Sequence, residues 1–332
     1  MSRDDRAAGR SRDQGFPDRP PSPGQAPQPP VREQSVPTPS GVPVLTSRPN
    51  WLPEKLFPFR SRFVDIEGVH AHYVDEGSGP TLLLLHGNPT WSFLYRHLIR
   101  FLAGQFRCVA LDFPGFGLST APTDFDFRPI SYVAVLQEFC RTLALHDVVL
   151  MVQDWGGPIG FAVATADPRR FRGFVIGNTW AWSGKGDPHH ERFARLMGGK
   201  VVGFLNRHFN FFARIVMRTG TRRKRLSAEE MRAYLAPFST GRSREPMRIL
   251  PREIIGSSEF LAAIERDLAK LSSHRALIVW GDRDFAFREA ERRRFESIFP
   301  DHRTVILPGA GHFIQEDAPA EIASAIQSEW CA

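Results

Sequence analysis

The segment Val148-Val-Leu-Met-Val-Gln-Asp-Trp-Gly-Gly157 decides the fold. Its first five residues are all apolar, as in a strand covered on both faces of a sheet. From Gly157 to Ala166 the pattern turns helical. Asp154 therefore stands at a sharp strand-to-helix bend. Gly156 and Gly157 supply the close packing such a bend needs. The helix N-terminus behind Asp154 favours its ionised form. Asp is also a common helix N-cap, so this segment alone leaves a structural and a chemical reading open.

The pattern repeats outward from that point. Arg62 to Val74 reads as a hairpin turning at Gly68. Thr81-Leu-Leu-Leu-Leu85 and Cys108 to Leu111 read as buried strands, with helices over Trp91–Leu102 and Ser131–Leu145. A strand over Phe174–Ile176 follows. Alternation then stops: Thr179 to Leu271 is helical, aromatic and basic. It resumes with the strand Ala276–Trp280, a helix from Glu289 to Phe299, the strand Thr304–Leu307 and a helix from Ala318 to Trp330. The expectation is an α/β chain with a mostly parallel, doubly wound sheet and a helical cap inserted late. The core spans 51–178 and 272–332, and the cap 179–271. Residues 1–50 are rich in Pro, Arg, Ser and Gln and too poor in apolar groups to order themselves; we read them as a disordered tail.

The chain has 332 residues, 42% hydrophobic and 24% charged, with a formal charge of +7. Its arginines are spread widely. The one dense cluster, Arg222-Arg-Lys-Arg225, reads as a solvated loop, so no nucleic-acid partner is expected. No apolar run reaches the ~18 residues of a membrane span, and no membrane partner is expected. No apolar core follows the N-terminal arginines, which argues against a secretory signal. Cys108, Cys140 and Cys331 form neither a CxxC pair nor a disulfide framework, consistent with no metal and a cytoplasmic location.

Two further segments weight Asp154 toward chemistry. His312 follows Gly311 in a loop after the last strand, last in the order nucleophile, acid, histidine that a hydrolase of this topology requires. It can take a proton from water. Trp280-Gly-Asp-Arg-Asp284 offers Asp282 and Asp284 as the carboxylate that orients it; position in the loop favours Asp284. His86-Gly-Asn-Pro-Thr90 forms a turn with free backbone N–H groups. The fold places one oxyanion donor here, at Asn88, and another after the nucleophile, at Trp155. The Asn88 amide and the Trp155 indole add two neutral donors suited to a departing halide. A carboxylate nucleophile itself points to displacement at saturated carbon, of halides or epoxides, through an ester on the enzyme.

His86 to Ser92, Asp112-Phe-Pro-Gly-Phe-Gly-Leu-Ser119, Gln153 to Gly157, Tyr234-Leu-Ala-Pro-Phe238 and Gly311-His-Phe-Ile-Gln-Glu-Asp317 together resemble haloalkane dehalogenases of the α/β-hydrolase fold, from about residue 50 onward. The resemblance implies that Asp154 displaces halide and that Asn88 and Trp155 bind it. It also implies that His312, supported by Asp284, activates the water that cleaves the ester. The partners would be a small apolar halogenated substrate, halide and water, with no cofactor. Some members carry a Glu after the strand preceding the cap; Asn178 occupies that place here, which again favours Asp284. Trp180 and Trp182 lie at the cap's entrance.

An epoxide hydrolase is the nearest alternative, but its cap would use two tyrosines, and 179–271 contains only Tyr234. Phe193, Leu196, Val202, Phe204, Phe209, Phe211, Phe212, Val216 and Phe238 read mostly as cap core, with a few facing an apolar cavity. Oligomeric state is not legible.

Overall fold

The computed structural model describes residues 35–37, 43–45 and 48–331. Within the stretch expected to be a disordered tail, β1 (Ser35–Pro37) pairs antiparallel with β2 (Pro43–Leu45). At its end Arg48 donates to the Phe59 carbonyl at 3.1 Å and Pro49 is buried, so these residues are ordered against the body, contrary to that expectation; the rest of it lies outside the described residues.

One eight-stranded sheet organises the remainder. Its strands are β3 (Arg62–Ile66), β4 (Val69–Glu76), β5 (Thr81–Leu85), β6 (Arg107–Leu111), β7 (Val148–Asp154), β8 (Phe171–Thr179), β9 (Arg275–Gly281) and β10 (His302–Leu307). They lie in the order β10-β9-β8-β7-β5-β6-β4-β3, and only β4 runs antiparallel to its neighbours. Leu82 to Leu85 and Val148 to Val152 are fully buried, because helices cover both faces of the central strands. Each such side chain contributes about 1.5–3 kcal/mol by leaving water.

The covering helices are α1 (Arg96–Leu102), α2 (Pro129–Thr142) and α3 (Gly156–Ala166). After β8 come α4 (Pro188–Met197), α5 (Lys200–Phe209), α6 (Phe211–Thr219), α7 (Ala228–Leu235), α8 (Glu245–Gly256) and α9 (Ser258–Asp267). Then follow α10 (Glu289–Ile298), the short α11 (Ile314–Asp317) and α12 (Pro319–Trp330). The insertion is helical, as expected, but α9, besides meeting α8, packs on α3 of the sheet body.

The expectation that the apolar side chains singled out in the insertion are mostly core needs correction. Phe212, Val216 and Phe238 are buried. Leu196, Phe204 and Phe209 are exposed at 61%, 59% and 61%. Each belongs to a helix whose inward face is already filled by other groups, Ala194 on α4 and Gly203 and Asn206 on α5.

An ionic hub joins the cap to the core. Buried Arg96 on α1 pairs with Glu316 on α11 and, at 2.7 Å, with Glu230 on α7; the Tyr234 hydroxyl also donates to Glu316. Arg96 and Lys224 hold the Glu316 carboxyl below the usual range against the opposing pull of burial. Among described residues no helix is long and apolar enough to cross a membrane.

Candidate active site

The bend after β7 is as tight as the sequence suggests. Asp154 has φ +50°, a left-handed conformation costing a non-glycine residue about 1–3 kcal/mol. The β7–β8 register slips between Gln153 and Asp154, so Asn178 is left unpaired in the ladder. Packing forces the bend: a β-carbon at Gly156 would lie 2.3 Å from the Leu85 carbonyl oxygen. Strain held this way marks a site whose geometry is fixed by its surroundings.

The Asp154 carboxylate faces the β5 turn. The Asn88 backbone N–H donates to Oδ1 at 2.7 Å, and the Trp155 N–H lies against the same carboxylate. Burial raises the Asp154 pKa, while His312 and these two N–H groups oppose the rise. A β-carbon at Gly87 would come within 2.2 Å of Oδ1, so only glycine fits there.

His86 holds this turn. Its Nε2 accepts from the Phe113 N–H at 3.0 Å, so the proton resides on Nδ1, which donates to the Gly87 carbonyl at 2.9 Å. Burial lowers its pKa to about 4, so the ring stays neutral. The neighbouring Asp112 accepts from the Ser92 and Leu118 N–H groups and pairs with His72. The two flanking motifs are thus scaffolding for Asn88.

His312 Nε2 lies 3.7 Å from Asp154 Oδ2, and Nδ1 lies 3.0 Å from Asp284 Oδ2. Burial pulls the imidazole pKa down, but Asp284 and then Asp154 more than offset it, and the net direction is upward. Asp282 is turned away and accepts the Gly309 N–H at 2.6 Å. Of the two candidates, Asp284 is the one within hydrogen-bond distance of His312.

Asn178 was read only as the place where a Glu is missing. Its Nδ2 donates to Asp284 Oδ2 at 2.8 Å, and its Oδ1 accepts the Gly281 N–H at 2.8 Å. The register slip aims it at Asp284. Gln153 was likewise passed over; its Nε2 lies 3.0 Å from His312 Nε2.

Asp154, His312, Asn88 and Trp155 line one small cavity. Its other walls are mainly apolar, with Phe193, Phe212, Val216, Ile254 and Phe287 prominent. Trp180 and Trp182 do not line it. Trp180 stacks on Phe287 and meets Trp155 edge-on at 4.8 Å, while Trp182 packs on Phe295. Two histidines that sequence reasoning missed, His189 and His190, do line it. Both ring nitrogens of buried His190 lack a hydrogen-bond partner, with Asp187 and Glu291 oxygens 3.7 and 3.9 Å away.

The family model for the alpha/beta hydrolase fold matches residues 80–319. The chain is 43% identical to Haloalkane dehalogenase 2 of Mycobacterium tuberculosis over 274 residues, 82% of this chain and 95% of that one. This chain belongs to the haloalkane dehalogenase family. The solved structure of haloalkane dehalogenase DbeA from Bradyrhizobium elkani superposes with a TM-score of 0.75 at 27% identity, covering 82% of this chain and 97% of that one. The putative ancestral haloalkane dehalogenase AncHLD2 gives a TM-score of 0.74 at 29% identity, over 81% and 97% of the two chains. A more distant relative of this dehalogenase-family chain has another activity in its name. It is the cis-3-alkyl-4-alkyloxetan-2-one decarboxylase of Shewanella oneidensis, 30% identical over 82% of this chain and 89% of its own length.

Proposed function

We propose that this enzyme hydrolyses carbon–halogen bonds of small apolar haloalkanes through an alkyl ester on Asp154. The observation that carries the reading is the convergence of the Asp154 carboxylate, the Asn88 and Trp155 donors and the His312–Asp284 pair on one apolar cavity. Asp154 attacks the halogen-bearing carbon from the side opposite the halide. A dry cavity strengthens that attack by stripping water from the carboxylate. The Asn88 amide and Trp155 indole receive the halide, and neutral donors let it leave again.

The second step returns the carboxylate. His312, its Nδ1 proton held by Asp284, takes a proton from water at Nε2. The hydroxide attacks the ester's carboxyl carbon. Backbone N–H groups of Asn88 and Trp155 steady the resulting oxyanion. The ester C–O bond breaks on the acyl side, and alcohol, halide and a proton leave. No metal or organic cofactor enters.

His312→Ala tests the reading. With 1-bromobutane it should release one halide per enzyme and then stop, with a butyl group retained on the peptide bearing Asp154. Sustained turnover, or no adduct, would count against it. Wild-type assays on styrene oxide and on a cis-3,4-dialkyloxetan-2-one separate the rival activities: diol or alkene formation faster than halide release would reassign the reaction.

A further inference from the structure

The outer face of the cap is at once basic and apolar, and the site above uses none of it. Residues 192–227 carry ten Lys or Arg and no Asp or Glu, although the whole chain is only +7; the remainder is net acidic. All but Lys224 of these cations are exposed. The helix α5 is inverted in the sense of amphipathicity. It buries Gly203 and Asn206 and exposes Val201, Phe204 and Phe209. Leu196 on α4 and Ile215 on α6 extend the exposed set. Thus five of the eight exposed large apolar side chains among the described residues fall on three consecutive helices, with α5 packed on both α4 and α6. Chance scatter does not give that clustering.

The cations interleave with this set. The Arg214 guanidinium donates to the Phe209 carbonyl at 3.1 Å, which fixes a positive charge beside that residue. Arg214, Arg218, Arg222, Arg225 and Arg232 line a groove between α6 and α7 whose walls hold no acidic side chain.

We propose that this face docks on the surface of an anionic lipid bilayer. The aromatic and aliphatic side chains enter the interfacial layer, and the surrounding cations meet phosphate headgroups. A second copy joined by a two-fold axis would set the same cations against one another, and a nucleic acid would leave the apolar set in water. The contact is peripheral, so it differs from the transmembrane span whose absence led us to expect no membrane partner. Phe212 and Val216, on the inner side of α6, line the cavity. Docking would therefore place the cavity's roof at the bilayer, where apolar halides dissolve; this corollary alone rests on the reaction proposed above.

Co-sedimentation of the full chain with vesicles tests the docking without any use of activity. The chain should pellet with phosphatidylcholine vesicles containing phosphatidylglycerol, remain in solution with phosphatidylcholine alone, and be released by roughly 0.5 M salt as screening shortens. The pair Phe204→Ser with Phe209→Ser should lower partitioning on the order of tenfold. Melting temperature and halide release from dissolved 1-bromobutane should stay unchanged. Lys200→Glu with Arg214→Glu and Arg218→Glu should abolish binding. Three results would overturn the proposal. One is failure of the wild type to pellet with anionic vesicles; another is full binding by both variants. The third is no vesicle binding combined with either a dimer that the phenylalanine pair dissolves or tight binding of duplex DNA.

Discussion

The Asn88 backbone N–H holds Asp154 Oδ1 at 2.7 Å, while Oδ2 is left 3.7 Å from His312 Nε2. The carboxylate is thus gripped by one oxygen and presents the other to the cavity. The Cα of residue 87 forms the wall behind it. Gly87→Ala should push the carboxylate aside, lowering kcat/KM on the order of 10²-fold, and because the added carbon would also meet the Asp154 Cβ at 2.4 Å the melting temperature should fall too. An unchanged kcat/KM would mean the grip has no bearing on the reaction.

The His312 imidazole pKa lies above its ordinary 6.5 because Asp284 and Asp154 favour the cation. Only the neutral ring accepts a proton. Activity should therefore rise with pH through an acid limb above 6.5, and be lost below it. Asp284→Asn should move that limb downward and reduce kcat on the order of 10³–10⁴-fold. A limb that stays in place would show that Asp284 does not set the charge of His312.

Asn178 links β8 to the acid. Asn178→Ala removes three hydrogen bonds and leaves the Gly281 N–H, the Gly281 carbonyl and Asp284 less well partnered. A stability loss of about 1–3 kcal/mol is expected by denaturant titration. The fall in kcat should be smaller than that of Asp284→Asn, because the acid remains.

Arg96 neutralises two buried carboxylates. Arg96→Leu strands Glu316 and Glu230 with Lys224 alone and should cost about 3–5 kcal/mol by denaturant titration at neutral pH. The Glu316 pKa is depressed in the fold, so its contribution is present above the ordinary value of 4.5 and is lost as pH falls through its folded value. The gap between wild type and variant should therefore narrow in acid.

The sheet, and the residues proposed as the triad, stand out in the sequence because both rest on local signals. Apolar runs such as Thr81–Leu85 specify covered strands, and Asp154, His312 and the two donors each follow a strand in a characteristic turn. Place in its loop favours Asp284 over Asp282; in the structure Asp284 faces His312 and Asp282 faces the Gly309 N–H. What escaped depends on which way a side chain points. Asn178 reaches Asp284 only because the ladder slips by one residue beside Gln153. His189 and His190 reach the cavity from the first turn of α4, where the sequence resembles a solvated helix start. Apolar periodicity in α5 reads as core, yet Gly203 and Asn206 take its inward face. Periodicity gives the face, not the side on which the body lies.

A single turnover in heavy-oxygen water, with enzyme in excess over 1-bromobutane, tests the covalent ester on Asp154 most directly. Acyl-side cleavage predicts heavy oxygen in the Asp154 carboxylate and ordinary oxygen in the butanol. Heavy oxygen in the first-turnover alcohol would mean that water attacks the carbon itself, and would contradict the account.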